Sequence, residues 1–103
     1  MNNYEINKAV AEKLRPRLKV INHKGKLVWD YTDHHGFLYS TVPDYCSSWG
    51  DAGPIIEEYG ITLVNMYCHG WECHVIEKGD EACNNSNKLP LVAAMSVFLE
   101  MEL

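Results

Sequence analysis

Apolar positions change period along the chain, and the changes mark its elements. Ile6, Ala9, Val10 and Leu14 recur at helical spacing with charges opposite, which predicts an amphipathic helix over 3–14. Asn2 and Glu5 stand at capping-box spacing, and Pro16 turns Arg15 out of helical dihedrals. From residue 17 the period is two. Segments 17–21 and 26–31 flank Asn22-His23-Lys24-Gly25, predicting a β-hairpin with Leu18 and Val20 inward. Residues 32–40 read as a loop, followed by a short extended piece. Ser48 and Asp51 again have capping spacing, Pro54 delays the next helix to about Gly53, and Gly60 supplies a left-handed stop.

Residues 61–68 are β-branched and aromatic enough for a strand. Gly70-Trp71 suits a tight turn and 73–77 the returning strand, which sets Cys68 opposite Cys73. The polar run 79–87 reads as loop. Asn87 then caps a last helix with Pro90 in its first turn and Leu91, Val92, Met95, Phe98 and Leu99 on its buried stripe. In that register Ile61, Leu63 and Ile76 share one face of the hairpin and Val64, Met66 and Val75 the other. A sheet apolar on both faces needs cover on both. The expected fold is therefore α+β: one domain over 1–103, an α-β-α sandwich with a small antiparallel sheet covered by helices.

Three stretches, taken in order, resemble the phage NinX family of small uncharacterised proteins. The first is Tyr4-Glu5-Ile6-Asn7-Lys8-Ala9-Val10-Ala11-Glu12-Lys13-Leu14. The second comprises Asp44-Tyr45-Cys46, Asp51-Ala52, Pro54-Ile55-Ile56-Glu57 and Gly60-Ile61-Thr62-Leu63. The third is Ala93-Ala94-Met95-Ser96-Val97-Phe98-Leu99. This chain departs from the family in having Gly53 where a Trp is frequent and Val92 where an Arg is frequent. A looser similarity to phage proteins described as α-β-α sandwiches agrees with the expected fold. The resemblance implies no reaction. It implies a setting: a phage or prophage accessory gene acting in the bacterial host cytoplasm.

Composition alone does not name a chemistry. The chain is 47% hydrophobic and 22% charged, which excludes a disordered acidic tail, and its longest apolar run is too short to span a bilayer. Its beginning has no secretory-signal pattern, so the four cysteines are expected as reduced thiols. The net charge of −5 divides unevenly, with +5 over residues 1–26 and −10 over 27–103.

Each candidate site has a plain structural alternative. Lys13, Arg15, Arg17, Lys19, Lys24 and Lys26 form a basic strip able to neutralise phosphates, with Trp29 or Tyr31 to stack; such a strip also simply solubilises a surface. Cys68 and Cys73, joined by Cys83, are metal-ligand candidates, but the expected pair gives two thiolates where zinc needs three or four ligands. Asp33-His34-His35, Glu57-Glu58 and Glu100 with Glu102 suggest acid–base chemistry, yet adjacent polar residues on exposed segments are ordinarily solvated. There is no nucleophile elbow and no glycine-rich phosphate loop. Catalysis is not expected, and neither is a cofactor or a resident metal. Trp49 and Trp71 are partner-binding candidates, because aromatic residues dominate protein interfaces; Trp29 and Trp71, on or beside strands, also suit the core. The expectation is a non-catalytic module that binds a host or phage protein, in host takeover or defence evasion. Nucleic-acid association through the basic strip is the alternative, and metal binding at Cys68 and Cys73 a weaker one.

Overall fold

In a computed structural model the chain is described over residues 1–31, 39–77 and 80–101, with the backbone alone at 76–77 and 80–84. Helix α1 runs Asn3–Leu14 and carries the full capping box, Asn2 accepting from the Glu5 N–H and Glu5 answering to the Asn2 N–H. Strands β1 (Lys19–His23) and β2 (Lys26–Asp30) form the expected hairpin, but Asn22 and His23 are part of β1 and only Lys24-Gly25 makes the turn. Lys24 and Gly25 both sit at positive φ, 53° and 84°, the turn whose twist matches two paired strands. Strand β3 (Tyr39–Thr41) is the expected short extended piece and pairs with β2, completing a three-stranded antiparallel sheet.

Helix α2 spans Trp49–Glu58, so it begins four residues ahead of Gly53 despite Pro54 in its interior. Gly53 explains the tolerance: a residue before proline is pushed out of the helical region partly through its Cβ, and glycine has none. The helix ends as the sequence predicts, with Gly60 at φ 63° and the Ile61 N–H returning to the Ile56 carbonyl at 3.0 Å.

The second sheet orders β4 (Thr62–Asn65), β5 (Trp71–Glu77) and β6 (Asp80–Asn87). Two expectations change here. The polar run read as a loop is a strand, because pairing with β5 outweighs the weak strand preference of its Asp, Asn and Ser residues. The β4–β5 register also differs: Cys73 faces Leu63, five residues earlier than expected, because a 3-10 turn at Tyr67–His69 occupies the connection. An odd shift exchanges the faces, so Val75 joins Leu63 and Cys73 on the buried side and Val64 is left on the open one.

Helix α3 (Pro90–Glu100) is buried nearly all round, with Leu91 to Met95, Val97 and Phe98 in the core. It lies between the second sheet on one side and α1 and α2 on the other, while α1 also packs on β1. The α+β class stands, with its strands divided between two small sheets. Cover on both faces of the β4–β5 hairpin is absent among the described residues, where Val64 is 38% and Met66 39% exposed. Asn87 does not cap α3; the cap position is Leu89, whose N–H donates to Asn87 Oδ1 at 3.1 Å.

Candidate interaction surface

The residues that carry the family likeness hold the fold. Asn7, buried on α1, donates to Asp44 Oδ1 at 2.9 Å and accepts from the Cys46 N–H at 3.1 Å, tying α1 to the Asp44-Tyr45-Cys46 turn. Burial pushes the Tyr45 phenol up to about 12. Burial, and then the Asp44 carboxylate, pushes the Cys46 thiol up to about 11.

The basic strip is divided by function. Lys13 Nζ donates to the carbonyls of Phe98 and Met101 and lies over the Phe98 ring, a cation at the C-terminal end of α3. Arg15 stacks on Trp29 at 4.3 Å and donates to the Tyr31 hydroxyl. Trp29 is buried and its Nε1–H reaches the Ala11 carbonyl at 3.4 Å, so its indole is core. Arg17, Lys19, Lys24 and Lys26 are exposed. Lys26 lines an open cleft of about 340 Å³ with Tyr4, Asn7 and Asp44, so this cleft holds both signs of charge.

The cysteine pair is not formed. Cys68 is exposed on the 3-10 turn, whereas Cys73 is buried beneath α3 with its Sγ 3.8 Å from the Pro90 carbonyl. Burial, and then Glu72, pushes the Cys73 thiol up to about 11. The backbone of Cys83 pairs with Val75; its side chain lies outside the described residues, as do Asp33, His34, His35 and Glu102. Among the described residues no three His, Cys, Asp or Glu side chains converge as metal ligands.

These thiols predict a pH response. Cys46 and Cys73 are both held protonated in the fold, so their contribution is fully present below the ordinary thiol value of 9.0 and is lost as pH rises through about 11. Urea midpoints are expected to fall between pH 9 and 11. In native protein at pH 8, iodoacetamide followed by peptide mapping should mark Cys68 and spare Cys46 and Cys73. Rapid labelling of Cys73 would contradict its placement.

Among the described residues, Val64, Met66, Tyr67 and Leu89 are exposed apolar or aromatic residues on or beside the second sheet. The Met66 N–H donates to the Gly70 carbonyl at 2.8 Å, the Tyr67 N–H to Asn65 Oδ1 at 2.9 Å, and the His69 N–H to the Met66 carbonyl at 3.1 Å. The turn is therefore fixed by its own hydrogen bonds. Tyr67 sits at φ 57° and is 92% exposed. A bulky side chain at positive φ is an outlier costing about 1–3 kcal/mol. Gly70, at φ 88°, lies so close to β6 that a Cβ there would be 2.6 Å from the Asn87 carbonyl oxygen. That approach sets the turn beside Asn87 and Lys88, next to Leu89, which is 54% exposed.

Of the two tryptophans proposed for a partner, Trp49 is 56% exposed at the start of α2, while Trp71 is half-buried at the start of β5, on the same side as Cys73. Tyr67 and Leu89 were missed because the strand pattern absorbed all of 61–68 and the helix pattern began at Pro90. The Asn65-x-Tyr67 side-chain turn was the one local signal available.

The architecture defines a small α+β protein built on two three-stranded antiparallel sheets. A phage protein from Bacillus cereus ATCC 14579, solved by crystallography, matches it with a TM-score of 0.69 at 17% identity, over 97% of this chain and 91% of that one. At that identity the likeness establishes the fold. Residues 1–102 match the family described as Bacteriophage P22, NinX, and the chain belongs to that family. No curated protein matches it.

Proposed function

We propose that this NinX-family protein is a non-catalytic phage accessory module that binds another protein, host or phage, in the bacterial cytoplasm. The observation that carries this reading is Tyr67, 92% exposed at an unfavourable backbone angle next to exposed Met66, on a turn whose Gly70 lies against Asn87 and Lys88. Strain of this kind persists only where the surrounding structure enforces it, and such positions concentrate at functional sites. A tyrosine so presented offers a rigid anchor with a polar tip, the side-chain type that dominates interface energetics. Host takeover and defence evasion are roles compatible with such contact. The nucleic-acid alternative is weakened because Lys13 and Arg15, at one end of the proposed strip, are engaged within the domain, leaving Arg17, Lys19, Lys24 and Lys26 to carry it. No helix among the described residues is long and apolar enough to cross a membrane.

The test is cross-linking and affinity capture from host lysate, with and without phage infection, comparing the natural chain with Tyr67→Ala/Leu89→Ser. Expected is a discrete protein held by the natural chain and lost by the variant, whose melting temperature is equal or higher. Capture that survives the double substitution, or no capture in either lysate, overturns the reading.

A further inference from the structure

The geometry points to β4 as a self-pairing edge, through which two copies of this chain join their second sheets into one six-stranded sheet. This surface adjoins the contact surface at Tyr67 and shares Met66 with it. Strand β4 ends the sheet, and no strand lies on its far side among the described residues. Its outward backbone groups can be assigned. The Met66 N–H bonds Gly70 across the turn, so by antiparallel alternation Val64 and Thr62 also bond β5. Leu63 and Asn65 therefore direct both N–H and C=O away from the sheet. The Ile61 N–H is already used by the Ile56 carbonyl.

This pattern is complementary to itself. A two-fold axis at Val64 sets Leu63 of one copy against Asn65 of the other, and the reverse, giving four N–H···O=C bonds. Val64 then faces Val64 of the second copy on the open face, and Thr62 faces Met66. Residues 61–68 contain neither a charge nor a proline, the devices that ordinarily keep an edge strand from pairing.

Charge also permits a second copy, although each carries a net −5. The acidic residue paired in register with Val64 is Glu72 on β5. Across the axis the two Glu72 residues lie three strand spacings apart, about 14 Å, beyond a screening length of about 8 Å at physiological salt. A pairing this short covers well under the about 800 Å² per partner of a stable interface. The dimer is accordingly weak, monomeric at about 1 µM and substantially paired at about 1 mM.

Sedimentation velocity over that range, with amide exchange followed at the highest concentration, tests the proposal. Expected are a concentration-dependent dimer and slowed exchange at Leu63 and Asn65. Val64→Lys, placing two ammonium groups against each other at an exposed position, should weaken the dimer at least tenfold with an unchanged melting temperature. Should Val64→Lys lower the melting temperature, the Leu63 and Asn65 amides of the natural chain decide alone. A monomer at 1 mM, a dimer that Val64→Lys leaves intact, or unchanged exchange at Leu63 and Asn65 overturns it. Tyr67 and Leu89 lie outside the paired strand, so loss of self-association leaves the partner-binding test unaffected.

Discussion

Phe98→Ala is expected to destabilise the domain by about 3–5 kcal/mol, measured as the loss in urea unfolding free energy at neutral pH. Phe98 has no exposed surface and sits in α3, the helix between the second sheet and the other two helices. Its ring packs on Tyr59 at a centroid distance of 5.1 Å, and the Lys13 ammonium lies 4.8 Å from its centroid. Truncation opens a cavity and removes the ring beneath a cation that also holds the end of α3. A small domain has only about 5–15 kcal/mol to lose, so the variant should be measurably unfolded on mild heating. A loss below about 1 kcal/mol would mean that α3 is not the centre of the core.

Gly70→Ala should cost about 3 kcal/mol, because two penalties coincide there. The residue has φ 88° and ψ −145°, a region essentially reserved for glycine, and its Cβ would press on the Asn87 carbonyl oxygen. Gly60→Ala is the control. That glycine is also at positive φ, 63°, but nothing lies within 4 Å of an added Cβ, so about 1 kcal/mol is expected. Equal losses in the two variants, by urea unfolding, would show that the turn does not press against β6. The same substitution should displace Tyr67 and Leu89 relative to each other. At a temperature where Gly70→Ala remains folded, it is expected to weaken capture of a partner.

The α1 capping box, the β1–β2 hairpin, the stop at Gly60 and Pro90 at the start of α3 were all legible in the sequence. Each is specified by residues within a turn or two of one another: a side chain reaching a nearby N–H, or a glycine free to take positive φ. The family was legible for a related reason. Among the residues on which the resemblance was read, Asn7 and Asp44-Tyr45-Cys46 make mutual contacts that tie down α1. The candidate surface was only partly legible. Trp49 is exposed as proposed, but Lys13 and Arg15 turned out to be fastenings of the fold.

By itself, then, the sequence determined the three helices, the first hairpin, the α+β class and the family. Tertiary structure alone decided the register of β4 on β5 and the pairing of β6, and hence which side chains of the second sheet are exposed. Strand β6 exists because β5 offers it a ladder, not because Asp, Asn and Ser favour extended backbone. The position of Cys73 opposite Leu63 follows from burying Val75 under α3, and the odd shift it requires leaves Val64 outside. The Met66–Gly70 connection absorbs that register, and with it the strained, exposed Tyr67. Pairing energy between neighbouring strands outweighs local preferences of about 1 kcal/mol, so the surface most suited to contact was the part that local pattern could not assign.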